Sequence, residues 1–266
     1  MRRKLLIIIL TVALFIGATV LGVSATFRVD AVTLNSSEIS QPAKAEAEEL
    51  LKRLEDVYVD ESIFSVKQSD ADGVLAEFPY FRITSFKRSY PNRILIGIAE
   101  GEEVFAVEGE NEHGEYFILN GEGTVLGVRA EASNRLDGER NVLLKGYTCF
   151  GVKGEKLAGD TALAPTLELC SGISQKLNGI RGNVRHVEVV AKTDTEDGIV
   201  LMLQMQEGVK LYVYAVEKNT QKKAVKAVEA YLALPIQERM SGNLMVYENI
   251  DGEVATVYYP DGGLPA

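Results

Sequence analysis

From Ser85 to Glu100 the sequence reads SFKRSYPNRILIGIAE, two alternating runs joined by Tyr90-Pro91-Asn92. Alternation at period two gives each run one face to bury, so the pair predicts a β-hairpin that needs cover on one side. That cover lies upstream. Ala43, Ala47, Leu50, Leu51, Leu54 and Val57 recur at three- and four-residue spacing, the stripe of an amphipathic helix, and Pro42 is tolerated in its first turn. A shorter helix follows, with Ala71, Val74, Leu75 and Phe78 on one face, Ser69 as candidate N-cap and Pro79 as its stop. Thr26–Leu34 reads as one further strand. The order strand, helix, helix, strand, strand predicts a compact α+β unit with its helices on one face of a three-stranded sheet.

Ahead of this unit, Met1–Lys4 carries three cations and Leu5–Val23 is a run of nineteen uncharged residues. As a helix that run would extend roughly 28 Å, about the hydrocarbon thickness of a bilayer. A single membrane-spanning helix over Leu5–Val23 is therefore expected. Arg2, Arg3 and Lys4 would keep a short cytoplasmic tail inside, which places the residues after Ser24 on the far side of the plasma membrane. The competing reading is a signal peptide cleaved at the small residues Val23–Ala25, but signal cores run about 7–15 residues.

Beyond residue 100 the rhythm changes. Val104–Val107, Tyr116–Leu119 and Val125–Val128 read as short strands between Gly/Glu/Asn turns, and Asn141–Tyr147 as another. A helix carries Leu163, Leu167, Cys170, Ile173 and Leu177, and strands follow at Val184–Val190, Ile199–Met205 and Leu211–Val216. A second helix presents Ala224, Val225, Val228, Tyr231 and Leu232. Two last strands turn at Asp251-Gly252, and Pro260 ends the second, before a short tail over 261–266. A mainly antiparallel β domain with two helices is expected over residues 101–260.

The inventory of reactive groups is thin. A net charge of −10 opposes binding to a phosphate backbone, so nucleic acid is excluded as a partner. Cys149 and Cys170 are not in CxxC spacing and read either as one disulfide or as two buried thiols, the thiols being favoured because Cys170 lies on a helix core face. His113 sits in a Gly/Glu turn and reads as a solvated loop residue. His186 and Glu188 share a strand face, but two ligands do not make a zinc site. No phosphate loop, G-x-S-x-G or H-E-x-x-H occurs. Neither an enzyme, a cofactor nor a metal is expected.

Surfaces carry more information. Lys87, Arg88 and Arg93 in the hairpin mark a candidate partner surface, or else a solvated strand face. Glu100, Glu102 and Glu103 leave the sheet together and read as a soluble edge that discourages stray pairing. Tyr212, Tyr214, Tyr247, Tyr258 and Tyr259 lie on strands, and interfaces favour tyrosine. A strand near the C-terminus that forms a sheet edge would offer unpaired N–H and C=O groups to an incoming strand.

In order and spacing, FRVDAVTLNSSEIS, the run from ESIF through FPYF and SYPN to IAEGEE, and YFILNGEGTVL resemble the FtsQ/DivIB family of bacterial division proteins. Gly101 stands where that family commonly has Arg, and Asn120 where it often has Asp. The resemblance implies a transmembrane anchor, a POTRA domain of order βααββ over residues 26–100 and a β domain after it. It also implies partners: the small FtsL-like and FtsB/DivIC-like division proteins, one of which adds a strand beside the last strand, and through them a septal peptidoglycan synthase complex. Carried onto this chain, the partner-binding residues are Gly252, Val254, Ala255, Thr256, Val257, Tyr258 and Tyr259, with Tyr258 as aromatic anchor. The implied role is a scaffold of septum assembly at the division site. The alternative is a POTRA-bearing anchor in another envelope-assembly or sporulation complex.

Overall fold

A computed structural model describes Thr11, Val12, Phe15 and residues 26–35, 39–109, 114–192 and 198–263. The chain divides into two compact units, Met1–Gly101 and Glu102–Ala266.

Unit 1 contains β1 (Ala31–Asn35), α1 (Lys44–Tyr58), α2 (Gln68–Leu75), β2 (Phe81–Ser89) and β3 (Arg93–Glu100). The sheet order is β1-β3-β2, with β3 parallel to β1 and antiparallel to β2. The α1 stripe buries Leu50, Leu54 and Tyr58, one turn apart each time, while Val57 turns out to solvent. These side chains meet Ile94, Ile96 and Ile98 of β3 and Ala71 and Leu75 of α2. The N-cap of α2 is Lys67 rather than Ser69, because the Asp70 carboxylate accepts the Lys67 N–H at 3.1 Å and closes the first turn.

Unit 2 contains β4 (Phe105–Glu108), β5 (Tyr116–Leu119), β6 (Val125–Arg129), β7 (Val142–Lys145), α3 (Leu163–Leu177), β8 (Val184–Lys192), β9 (Ile199–Met205), β10 (Lys210–Val213), α4 (Thr220–Ala233), a 3₁₀ turn (Glu238–Met240), β11 (Asn243–Glu248) and β12 (Val254–Tyr259). The strands form one nine-stranded sheet in the order β12-β11-β10-β9-β8-β7-β4-β5-β6. This sheet is mixed: five of its strand pairings are antiparallel and three are parallel. β4 with β7, β7 with β8 and β10 with β11 run parallel. In two cases a helical crossover is the reason, α3 carrying the chain from β7 to β8 and α4 from β10 to β11, whereas β7 comes to lie beside β4 after the intervening strands β5 and β6. Both helices cover one face, where Ile173, Ala224, Ala227 and Val228 meet Leu144, Val187, Leu203, Leu211 and Val246.

The expected membrane-spanning helix over Leu5–Val23 is not seen. Among the described residues no helix is long and apolar enough to cross a membrane. The helices α1 to α4 bury one stripe and carry charged residues on the rest of their surface, α1 alone holding several Glu and Lys. Only Thr11, Val12 and Phe15 of the stretch are described, and the rest of it lies outside the described residues, as do residues 264–266 of the tail and His113.

Candidate functional site

Among the described residues, strand β12 pairs with β11 alone and forms the end of the nine-stranded sheet. The turn before it is built by Asn249, whose N–H donates to the Glu253 carbonyl at 2.9 Å and whose side-chain oxygen accepts the N–H groups of Asp251 and Glu253. That bond fixes the phase of the ladder. In an antiparallel pair bonded and non-bonded positions alternate, so Ala255, Val257 and Tyr259 direct their backbone groups to β11. Val254, Thr256 and Tyr258 turn theirs to the open side, and among the described residues these three form the open hydrogen-bonding edge of the sheet.

The side chains divide the other way. Val254 and Tyr258 pack against the helix-side core. The Tyr258 hydroxyl donates to the carbonyls of Glu238 and Ser241 at 2.8 and 3.1 Å, which ties the edge strand to the 3₁₀ turn. Burial, with Glu238 and Asp261 nearby, pushes the Tyr258 hydroxyl above its ordinary range. Tyr258 thus holds the edge in place from the inside, while Val257 and Tyr259 lie on the opposite face. The seat beneath Tyr258 requires a glycine: Gly242 has φ +86°, and a Cβ there would stand 2.7 Å from the Tyr259 carbonyl and 2.8 Å from the Tyr258 hydroxyl.

Val257 ends a row that crosses the outer face of the sheet. Glu188, Met202, Tyr212, Met245 and Val257 are successive cross-strand partners on β8 to β12. Tyr247 and Tyr259 flank the row on the same face, opposite Ala255 and Asn243 respectively.

On the helix side, a groove of about 700 Å³ runs between α4 and the β11–β12 turn. Gln221, Lys222, Val225 and Lys226 line one wall, and Gly252, Glu253 and Val254 the other. Lys222 and Lys226 lie four residues apart on the exposed face of α4, and Lys226 also reaches Glu229 at 3.1 Å. The helix start is fixed by Lys223, fully buried, whose ammonium donates to the carbonyls of Tyr214 and Ala215 at 2.9 and 2.6 Å. Burial lowers its pKa, and Glu248 and Glu217 work against that shift. The lysine pair and Val225 were the part of this site that sequence reading missed; the signal was cationic spacing of four on the helix preceding the last hairpin.

The other candidates read from the sequence fall elsewhere. In unit 1, Lys87 and Arg93 share the open face of the small sheet, since Lys87 opposes Leu95 and Arg93 opposes Ser89. Arg88 is separated from them: it opposes Ile94 on the helix side and donates to the Val66 carbonyl at 2.5 Å. Nor do the three glutamates form one soluble edge. Glu100 accepts the Ser40 N–H and hydroxyl at 2.9 and 3.0 Å, and Glu103 is fully buried. His186 and Glu188 do share the outer face of β8, where burial and Lys145 push the imidazole pKa below its ordinary value. No group of three metal-ligating side chains occurs among the described residues. Cys149 and Cys170 are both buried free thiols, and burial pushes Cys170 up to about 12.

The arrangement offers hydrogen-bonding backbone, an outer row that is apolar or aromatic from Met202 to Val257 and a groove with two lysines on its helix wall, the row and the groove meeting at β12. It can receive an extended peptide segment. No protein-family model matches the chain, and no curated protein matches it.

Proposed function

We propose that the protein is a non-enzymatic docking scaffold whose β12 edge takes up a strand from a partner, in the manner of the FtsQ/DivIB family that its sequence resembles. The observation that carries this reading is the open edge itself, with the backbone groups of Val254, Thr256 and Tyr258 turned away from β11. An added strand would extend the outer row beyond Val257 and set alternate side chains into the groove beside Val225, Lys222 and Lys226. Apolar residues on both faces and an acidic residue towards α4 are the partner chemistry that fits. The partners proposed are the extracytoplasmic segments of FtsL-like and FtsB/DivIC-like division proteins, with the two units outside the cytoplasm at the septum. There the scaffold would support assembly and regulation of the septal peptidoglycan synthase complex.

The test is binding of the purified chain to those segments from the same organism, measured by titration calorimetry. Saturable binding that is lost when the β12 edge is blocked supports the reading. Absence of binding to either segment, or binding indifferent to the edge, overturns it.

A further inference from the structure

The small sheet of unit 1 turns Ile94, Ile96 and Ile98 to the helices, and its other face is built from four cross-strand rows. Ser89 lies beside Arg93, Lys87 beside Leu95, Ser85 beside Gly97 and Arg82 beside Ala99. Rows on one face of a strand lie about 7 Å apart, so Arg93, Lys87 and Arg82 mark a stripe of roughly 20 Å. All three are exposed, and among the described residues none of them has an ion pair or a side-chain hydrogen bond. Such cations are out of place in a chain where 38 Asp and Glu stand against 28 Lys and Arg. Elsewhere cations find acids, as Arg53 finds Glu77 at 3.5 Å and Arg181 finds Asp137 at 2.7 Å. No position in the four rows is acidic, whereas Glu48, Glu49 and Asp56 stand exposed on α1. Charge is thus sorted across unit 1, with acid in excess on the helix layer and cations on the open sheet face.

The floor between the cations selects the kind of anion. A bulge at Thr84 turns its hydroxyl and that of Ser85 over Gly97, where a Cβ would stand 2.7 and 2.5 Å from them. Leu95, beside Lys87, is 36% exposed. The cations stand one to a row and do not converge, so they are not arranged around a single phosphate group. Hydroxyls and an apolar spot between spaced cations match a peptide instead. In an extended peptide, alternate side chains recur every ~7 Å, the spacing of the rows beneath.

We propose that this face docks an extended acidic segment of a partner protein, with carboxylates set against Arg82, Lys87 and Arg93 and an apolar side chain against Leu95. Opposite charge is the complement that the three cations lack within the unit. The contact is separate from strand addition at β12 and does not depend on it.

The probe is a fluorescein-labelled peptide with glutamates at alternate positions around one leucine, titrated with the purified full chain and read by fluorescence anisotropy. Saturable binding is expected, about tenfold weaker at low salt for Arg82→Glu with Arg93→Glu and weaker also for Leu95→Ala. Absence of saturable binding overturns the proposal, as does binding indifferent to the two arginines or to Leu95. Loss confined to Lys222→Glu with Lys226→Glu also overturns it, because the peptide would then sit in the groove beside β12. So does equal affinity for inorganic polyphosphate or phosphatidylglycerol vesicles through the same two arginines, which would leave the peptide character without a role. Near-ultraviolet circular dichroism checks the fold, and Arg82→Gln with Arg93→Gln repeats the test without reversed charge.

Discussion

The Glu103 carboxylate meets the Arg129 guanidinium at 2.6 Å although the two are 26 residues apart, and Glu103 is fully buried. The same oxygen accepts the Arg135 N–H at 3.0 Å and the Asn141 amide at 3.4 Å, so one side chain joins the residues leading into β4 to the loop over residues 130–141. Removing it leaves a cation and two donors without their acceptor. Glu103→Ala should cost about 3 kcal/mol in denaturant unfolding, near the lower bound for breaking a buried pair because Arg129 is partly solvated. Glu103→Gln should cost less. A change below about 0.5 kcal/mol for Glu103→Ala, the range of an ordinary surface substitution, would show that solvent already satisfies the cluster.

Gly242 governs whether β12 can lie where it does. Its φ of +86° and the 2.7 Å approach of a Cβ to the Tyr259 carbonyl leave no relaxed place for a side chain. Gly242→Ala is expected to cost about 1–3 kcal/mol and to speed amide exchange in β12 more than in β9. Uniform exchange across the sheet would mean that the strain is absorbed elsewhere.

These two positions show where the sequence was legible and where it was not. The period of Leu50, Leu54 and the alternation of Ile94, Ile96 and Ile98 are local signals, so the helices and hairpin of unit 1 could be read from neighbours in the chain. The parallel pairing of β7 with β8 could not, because it depends on which side of the sheet α3 returns the chain. Glu103 reads as one of three adjacent acids until its partners, more than twenty residues away, are placed. The resemblance makes Tyr258 an aromatic anchor for a partner, and only the placed 3₁₀ turn shows that its hydroxyl also bonds the carbonyls of Glu238 and Ser241. Lys223 reads as one of several helix lysines, and only the turn at Tyr214 and Ala215 makes it the buried one.

Acid should loosen unit 2 through Asp160. Burial pushes this carboxyl up, but the Lys192 ammonium and the N–H groups of Ala162 and Thr148, at 2.8 and 3.1 Å, outweigh it and hold the group below the ordinary carboxylate range. A folded value below the unfolded one means that the stabilisation is complete above about pH 4 and is lost as pH falls through the folded value. Asp160→Asn should lower stability at pH 7 by about 2 kcal/mol, with part of the Lys192 share screened by solvent, and should flatten the loss below pH 4. Parallel stability–pH curves for wild type and variant would remove Asp160 from the acid response.

Lys222 and Lys226 should act on encounter more than on the lifetime of a complex. Both stand on the exposed face of α4 beside the edge, in a chain whose net charge is −10. Rim charges mainly steer association. Lys222→Glu with Lys226→Glu is expected to slow association with an acidic strand about tenfold at low salt and little at high salt, with dissociation nearly unchanged. An unchanged association rate at low salt would separate the groove from the binding path.

Proline can distinguish the two sides of β12. It removes one N–H and fixes φ near −65°, which an edge strand tolerates when that N–H points away from the sheet. The phase set by Asn249 and Glu253 directs the Thr256 N–H to the open side and the Val257 N–H to β11. Thr256→Pro should therefore leave the unfolding midpoint close to wild type and still abolish strand addition, because the incoming chain loses a partner in the middle of the edge. Val257→Pro should break the β11–β12 ladder beside Met245 and destabilise unit 2 itself, by about 2 kcal/mol or more. Tight binding by a folded Thr256→Pro variant would exclude β12 as the docking edge. The opposite order, with Thr256→Pro the less stable of the two, would instead show that the ladder phase is the reverse of the one argued from Asn249.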